Sequence, residues 1–386
     1  MRKRWMVLIC FVLLTILVGW FFTKNSGSKK ASDRELEEEN FLDSKKAIVY
    51  FSTTADQDTY GGGKSAAVFI DHRGKPMTYE MEGLELGSIG VKENEILLAD
   101  KSRFYKISKG FERIERDDYQ HTGDHIGFLE STAGFYAVFN SGYDKTNGGY
   151  RSDIYWEKDG HFEKGIIPFF IEASVLHQGS LYTLSSSEDE KSYQFKEVIL
   201  GEKPIVKPML EIEKEENSTT FGQLQTDGHH LYFIRQTGAL TEMVKVNLQS
   251  KKYQFTKVAT YANDEQTFYK QIPFSYKRCV FLYQDNLYFI DGFGDVYRIS
   301  TETGNSEKAF SLVETSFEGS VEVFQQNGTL HVFSLEHENR RAKIAEYNLL
   351  SGKRQEELVL KDFPELNTFN TKMHLYDFVI INSEND

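Results

Sequence analysis

The hydrophobic pattern divides the chain into three parts. Residues 5–22 form an uncharged apolar run behind the cations at positions 2–4. At about 1.5 Å per residue, a helix of this length spans about 27 Å, close to the thickness of the hydrocarbon core of a bilayer. Residues 23–45 are polar and charge-dense, with too few apolar side chains to form a core. From residue 46 onward, short apolar stretches alternate with turn residues.

The first two parts predict how the chain is placed in the cell. Residues 1–4 are expected in the cytoplasm because a basic flank stays on that side, and residues 5–22 are expected to be a transmembrane signal anchor. Residues 23–45 are then a flexible stalk, and the main domain is extracytoplasmic on a single-pass cell-membrane protein. A cleaved signal peptide is the alternative, since "SGS" at 26–28 offers small residues for cleavage.

One strand pattern recurs seven times in the third part. Its clearest copies are "HHLYFI" at 229–234 and "DNLYFI" at 285–290. The centres of the seven copies, which lie 39 to 56 residues apart, are Val49, Leu97, Tyr136, Tyr182, Tyr232, Tyr288 and His331. This spacing is typical of propeller blades and is too long for leucine-rich or ankyrin repeats.

The segment 279–312 indicates what one copy contains. Its apolar stretches are "CVFLY", "LYFID", "VYRIS" and "EKAFSL", and residues of the kind that form turns separate them. Four short strands rich in β-branched and aromatic residues predict an antiparallel meander. The best helical candidate beyond the anchor is residues 262–271.

The two ends of the repeat region are incomplete in complementary ways. The first copy, "AIVYF", has no inner strand just before it, and "HLYDFVIIN" at 374–382 has no strands after it. If the last segment supplies the missing inner strand, the ring closes without a free edge. We therefore predict an all-β fold, a β-propeller of about seven four-stranded blades over residues 46–382. Six or eight blades, or a pair of β-sandwiches, are the alternatives.

This repeat pattern resembles that of bacterial extracytoplasmic β-propeller proteins. The resemblance covers residues 46–382 and rests on the repeat alone. The chain has no Gly-His…Trp-Asp signature, no sialidase Asp-box and no kelch double glycine. It therefore implies the broad class and no narrower family.

Charge and cysteine content agree with an exterior location. The net charge is −13, and because residues 1–30 hold six cations and no acid, the remainder carries −19. Such an acidic domain repels nucleic acid. Cys10 lies in the apolar run, so Cys279 has no partner for a disulfide on the outer side, which fits a bacterial surface better than an animal secretory pathway.

The stretch "TADQDTYGGGKS" at 54–65 resembles two known loops without matching either. A phosphate-binding loop needs glycine where Asp58 stands and a helix after Ser65, but the next residues predict a strand. A calcium loop beginning at Asp56 needs a glutamate where Ala67 stands. We interpret the stretch as the hairpin loop between the second and third strands of the first blade.

A second long loop, "NSGYDKTNGGYR" at 140–151, occupies the same place in the third blade. Hairpins at this place emerge on one face of a propeller, and tyrosines provide large contact area there at low entropic cost. The predicted binding residues of this face are Asp56, Asp58, Tyr60, Tyr143, Asp144, Asn147 and Tyr150.

No catalytic residue, metal site or cofactor site is predicted. His121 and His125 have a zinc-like spacing only within a helix, and Gly123 argues against one. The predicted function is a membrane-tethered, extracytoplasmic binding or scaffold module for a protein or a cell-wall-associated partner. The alternative is an extracellular enzyme of the glycosidase or lyase type, with carboxylates in the funnel of the propeller.

Overall fold

The computed structural model describes residues 29–59, 62–129, 133–145, 148–262, 272–275, 277–313, 319–336, 338, 340–368 and 371–381. These residues form seven sheets, each built around four antiparallel strands. The first strands of neighbouring sheets contact one another, as in the pairs β5 (Ile89–Lys92) with β9 (Gly123–Leu129) and β13 (Ala173–His177) with β17 (Ser218–Thr226). The sheets are therefore blades arranged around a central channel.

The remaining strands follow, blade by blade and from the inside outward. Blade 1 has β29 (His374–Ile380), β2 (Lys45–Ser52), β3 (Lys64–Asp71), β4 (Pro76–Glu82) and the outer strand β1 (Lys29–Lys30). Blade 2 continues from β5 with β6 (Glu95–Ala99), β7 (Arg103–Ile107) and β8 (Phe111–Glu115). Blade 3 continues from β9 with β10 (Gly134–Asp144), β11 (Gly149–Lys158) and β12 (His161–Ile167). Blade 4 continues from β13 with β14 (Ser180–Ser186), β15 (Ser192–Ile199) and β16 (Ile205–Glu213).

Blade 5 continues from β17 with β18 (His230–Thr237), β19 (Leu240–Asn247) and β20 (Tyr253–Thr260). Blade 6 has β21 (Val280–Tyr283), β22 (Asn286–Ile290), β23 (Asp295–Ser300) and β24 (Ser306–Ser311). Blade 7 has β25 (Gly319–Gln326), β26 (Thr329–Glu336), β27 (Arg341–Asn348) and β28 (Arg354–Leu360). Short helices are α1 (Asp33–Leu36), α2 (Ala55–Thr59) and a 3₁₀ turn (Leu42–Ser44).

The seven predicted copies correspond to the seven second strands. Each centre lies on the second strand of its blade, from Val49 on β2 to His331 on β26. These strands are buried over most of their length because both of their faces pack against neighbouring blades, which explains their nearly continuous apolar sequences. The prediction of seven four-stranded blades is confirmed, and residues 279–312 contain the four strands of blade 6. Most of the helical candidate at 262–271 lies outside the described residues.

The C-terminal strand closes the ring as predicted. Strand β29 pairs antiparallel with β2, with Ala47 opposite Ile380 and Val49 opposite Phe378. Phe378 and Val379 are fully buried in the core that blade 1 shares with blades 2 and 7. Blade 1 is thus completed by both ends of the domain.

Residues 29–44 differ from the flexible stalk predicted for 23–45. Strand β1 adds to the outer edge of β4 in parallel, with Lys29 opposite Met77. Leu36, at the end of α1, is fully buried in the blade 1 core, and Phe41 packs edge to face on Phe69 with ring centroids 5.0 Å apart. A few apolar side chains are enough to hold this polar segment because the blade already offers an apolar surface. Residues 1–28, including the predicted anchor, lie outside the described part of the chain.

The helices in the described part of the chain are short, and none of them meets the length and hydropathy that a membrane span requires.

Removing the closing strand is expected to unfold the domain. A chain ending at Lys372 lacks β29 and with it several buried apolar side chains, each worth about 1.5–3 kcal/mol. The total is comparable with the whole stability of a domain, about 5–15 kcal/mol. Thermal unfolding followed by circular dichroism should therefore lose its cooperative transition. A chain ending at Ile381 keeps the strand and is the control, and equal melting of the two chains would refute closure by β29.

Leu36→Ala tests whether residues 29–44 are part of the folded domain. Truncating a fully buried leucine costs about 2–5 kcal/mol. The exposed Glu39→Ala is the matched control and should change the free energy of unfolding by less than about 0.5 kcal/mol. Chemical denaturation measures both variants, and a Leu36→Ala protein as stable as the control would restore the stalk interpretation.

Candidate functional site

One face of the ring collects the longest loops. Because neighbouring strands run in opposite directions, hairpins between second and third strands end on the same face as the connections between blades. We call this side the loop face. Hydrogen bonds between these hairpins and connections show that they share one face. The Gln57 side chain on the β2–β3 hairpin donates to the carbonyl oxygen of Lys372, before β29, at 3.0 Å. Likewise Gln120, between blades 2 and 3, donates to Asp153 on β11 at 2.9 Å.

The β10–β11 hairpin carries a group of exposed aromatic rings. Tyr143 and Tyr150 are cross-strand partners, with ring centroids 5.5 Å apart and planes at 85°. Phe170, from the connection between blades 3 and 4, lies 6.4 Å from Tyr150. The exposed fractions are 57% for Tyr143, 58% for Tyr150 and 44% for Phe170. We call these three residues the aromatic patch.

The backbone of this hairpin is irregular just before the first ring of the patch. A bulge interrupts the register between Asn140 and Gly142, and Gly142 has a φ of +83°, which favours glycine. Beyond the bulge, Asp144 lies 3.7 Å from Arg151, so the base of the patch carries an ion pair. Of the residues predicted for this hairpin, Tyr143, Asp144 and Tyr150 are brought together, and Asn147 lies outside the described residues.

The β2–β3 hairpin contributes a different surface to the loop face. It contains α2, and the residues after Ser65 form strand β3 instead of the helix that a phosphate-binding loop requires. Asp56 on α2 is exposed, the side chain of Asp58 is not described, and Tyr60 lies outside the described residues. Within the described ranges, no contact joins Asp56 to the aromatic patch. The shared rim predicted for the two hairpins stays a prediction.

The central channel contains a charged cluster that the sequence analysis did not identify. Arg278, just before β21, donates from Nε to Asp377 Oδ1 at 2.5 Å and from Nη2 to Oδ2 at 3.0 Å. Asp377, on the closing strand, also accepts a bond from the backbone N–H of Ile89 at 2.8 Å. Burial opposes ionisation of Asp377, but the cations of Arg278 and Lys277 outweigh it and lower its pKa. One carboxylate thus links blades 1, 2 and 6.

Lys277 makes a second link across the channel. Its ammonium donates to the carbonyl oxygens of Leu86 and Gly87 and, at 2.5 Å, to Ser88 Oγ, all between blades 1 and 2. An ammonium has three N–H donors, so these contacts use its whole capacity. Burial lowers the pKa of Lys277 to about 8, and the nearby acids Asp377 and Asp124 oppose this shift.

Burial shifts the pKa values of three further titratable groups of the channel toward their neutral forms. Burial raises the pKa of Glu322 to about 8, although Ser275 donates to its Oε2 at 2.5 Å. Burial also raises the pKa of Asp124 to about 7 and lowers that of His125 to about 3. Strongly shifted pKa values of this kind often accompany functional sites.

A zinc site at His121 and His125 has no structural support. Residues Gly123–Leu129 form a strand, so the helical spacing on which the idea depended is absent. No group of three or more His, Cys, Asp or Glu side chains that could hold a metal occurs in the described ranges.

The channel also contains a cavity of about 160 Å³. Its polar walls include Arg278, His125 and Gln325, and its apolar walls include Phe281 and Phe324. Individual signals for this site exist in the sequence. Charged residues interrupt otherwise apolar strands in "SVEVF" and "HLYDFVII", and "KR" directly precedes "CVFLY". Their convergence on one channel depends on the ring.

These features define a seven-bladed β-propeller with a polar channel and an aromatic patch on one face. The family model described as "YycP, beta-propeller domain" matches residues 40–381. The chain is also 37% identical to protein YycP of Bacillus subtilis (strain 168) over 385 residues, which is 98% of this chain and 99% of that protein. The chain therefore belongs to the YycP β-propeller family, which confirms the resemblance to bacterial β-propeller proteins.

Solved structures are similar to this chain at low sequence identity. A puromycin hydrolase mutant complexed with PGG has a TM-score of 0.51 and 9% identity, covering 82% of this chain and 54% of that chain. A protein from Lactobacillus plantarum has a TM-score of 0.48 and 12% identity, covering 88% and 100%. At such identities the likeness concerns the fold alone.

Glu322 should make the stability of the protein depend on pH. Its carboxyl keeps its proton up to about pH 8 in the folded chain but loses it near its ordinary pKa of 4.5 when unfolded. The contribution of Glu322 to the free energy of unfolding is therefore fully present below about pH 4.5 and decreases as the pH rises to about 8. Glu322→Gln replaces the titrating carboxyl by a neutral amide. The free energy of unfolding of this variant, relative to that of the parent, should therefore rise by up to about 1.4 kcal/mol per pH unit across that window.

Urea unfolding at several pH values measures the effect. Glu307→Gln, on the exposed outer strand β24, is the control and should follow the parent curve. If Glu322→Gln also runs parallel to the parent, the buried glutamate is ionised at neutral pH and the charge assignment of the channel is wrong.

Proposed function

We propose that this chain is a membrane-tethered, extracytoplasmic binding module that holds a partner on its loop face. The observation that carries the proposal is the aromatic patch, in which the ring of Tyr150 lies next to those of Tyr143 and Phe170 and each ring is about half exposed. Exposed aromatic groups of this kind are typical of interaction surfaces, because burying them against a partner removes apolar area from water.

The surroundings of the patch suit a protein partner. The ion pair of Asp144 and Arg151 lies at its base, and Tyr119, 70% exposed, is on the neighbouring connection of the same face. Tyrosine and arginine are enriched where proteins bind each other. The rings of Tyr143 and Tyr150 stand at 85° and so form no flat platform for a sugar ring, which makes a cell-wall glycan the less favoured partner.

The tether of the proposal rests on the N-terminal sequence. The basic flank and the apolar run at 5–22 predict an anchor, and the acidic domain after it suits the outside of a bacterial cell. Because residues 29–44 pack on blade 1, only about six residues separate the predicted anchor from the folded domain. The propeller would then be held close to the membrane instead of on a long stalk.

An enzyme is the second candidate, and the channel carboxyls favour it. Asp377 is ionised while Glu322 is protonated at neutral pH, and such a divided pair can supply a base and an acid. Against this, Asp377 is fully engaged with Arg278 and Ile89, and the cavity of about 160 Å³ is too small for a polymer chain. We therefore favour binding.

Tyr150→Ala in the full-length protein tests the loop face. Intact cells are treated with a membrane-impermeant cross-linker, so only an exterior domain can be captured with a partner. We expect a defined partner with the parent protein and at least about ten-fold less of it with Tyr150→Ala, the effect of losing one central ring. Tyr253→Ala removes a ring that is 43% exposed on the outer strand β20 and should leave capture unchanged.

Sedimentation with purified cell wall forms the second arm of this test. Co-sedimentation that depends on Tyr150 would make the partner a glycan. Absence of any partner, together with turnover of a glycan, peptide or ester substrate by the parent protein, would favour the enzyme. Equal capture by both tyrosine variants would contradict a role for the aromatic patch.

A further inference from the structure

The channel cavity combines one unused cationic nitrogen, Nη1 of Arg278, with an apolar wall. A guanidinium has five N–H donors, and the contacts of Arg278 with Asp377 and with the carbonyl oxygen of Ile89 use Nε and Nη2. Among the described residues, no hydrogen bond is made by Nη1. The guanidinium is fixed in place, since it also lies 5.1 Å from the ring centroid of Phe324.

The charges that line this cavity do not cancel. Arg278 and Lys277 carry two positive charges, and Asp377 carries one negative charge. His125 is neutral because burial lowers its pKa to about 3. Glu322 lies nearby with its pKa raised by burial to about 8, so it adds no charge at neutral pH. Asp124, which interacts electrostatically with Lys277 and whose pKa burial raises to about 7, is only partly ionised at neutral pH. The cavity therefore keeps an excess positive charge inside a protein with a net charge of −13.

The remaining polar groups can complete an anion site. The neutral imidazole of His125 has one ring N–H, and the amide of Gln325 has two N–H donors. Lys277 is unable to contribute directly because its three donors are already used on residues 86–88. Arg278 is the natural centre of the site, since Nη1 keeps two N–H groups that can donate charge-assisted hydrogen bonds to the oxygens of a second carboxylate.

Size and apolar lining restrict the rest of the ligand. A cavity of roughly 150 Å³ accommodates a molecule the size of benzene, and this one measures about 160 Å³. Val280, Phe281 and Phe324 form its apolar walls. An inorganic anion would leave these walls without a contact, whereas a compact carbon skeleton would fill the space beside them.

We propose that the central channel binds a small organic carboxylate, with the carboxylate group on Arg278 Nη1, His125 and Gln325 and the apolar end against Val280, Phe281 and Phe324. The site is separate from the aromatic patch and does not depend on the partner proposed for the loop face. It gives the channel a small-molecule ligand that the family relationship does not specify.

Calorimetric titration of the full-length protein with benzoate tests the site. Benzamide has nearly the same shape without the charge, and inorganic phosphate has charge without the apolar body. We expect benzoate to bind at least about ten-fold more tightly than either, a difference of about 1.4 kcal/mol. Butyrate, a smaller carboxylate, provides a second positive probe.

Two variants locate the binding. Arg278→Lys keeps a cation beside Asp377 but removes the second arm of the guanidinium, and it should weaken benzoate binding at least about ten-fold. Gln325→Leu removes one amide donor without touching the Arg278–Asp377 pair, and it should weaken binding severalfold with little change in melting temperature. Arg298→Lys, on the exposed strand β23, is the matched control and should bind as the parent does.

Each alternative result is decisive. No binding of benzoate or butyrate up to about 10 mM, which corresponds to a binding free energy of only about 2.7 kcal/mol, overturns the proposal. Equal affinity for benzamide overturns the role of charge, and phosphate binding as tight as that of benzoate overturns the organic ligand. Unchanged affinity in a folded Arg278→Lys protein excludes Arg278 as the centre. If that variant fails to fold, Gln325→Leu and the benzamide comparison decide the question.

Discussion

The fold depends on the pairing of β29 with β2, because this pairing is what turns a row of sheets into a ring. Strand β29 supplies the inner edge of blade 1 and meets the inner strands of its neighbours. Asp377, in the middle of β29, connects to Ile89, 288 positions away, and to Arg278. The closing strand follows all the other described strands along the chain, so its pairing with β2 joins the two ends of the ring.

The charged channel follows from the same geometry. Seven inner strands leave an axial space, and polar residues that face it are removed from bulk water without being packed into an apolar core. Ion pairs and hydrogen bonds offset their desolvation, as Lys277 shows with three donors on three acceptors. Asp124 is only partly compensated, since its Oδ2 has no hydrogen-bond partner among the described residues. Such a channel is costly as a purely structural feature and well suited to hold a ligand.

The loop face and the central channel present different kinds of surface. The loop face presents exposed aromatic rings such as that of Tyr150, and covering them would remove apolar area from water. The channel presents a fixed guanidinium, that of Arg278. Residues 29–44 add a third constraint, because Leu36 and Phe41 pack on blade 1 and so fix where the chain enters the domain.

The sequence by itself determined the repeat, the four strands of each blade and the closing strand, because those features depend on local patterns of apolar and turn residues such as "LYFI" and "HLYDFVII". It also located the tyrosines of the β10–β11 hairpin, since a long loop between two clear strands is a local signal. Only the tertiary structure decided that Leu36 and Phe41 pack on blade 1 and that Lys277, Arg278, Glu322 and Asp377 share one channel. The physical reason is that burial and pairing of charges depend on residues outside the local sequence, as far apart as the 288 positions between Ile89 and Asp377, and no local pattern records which blades face each other.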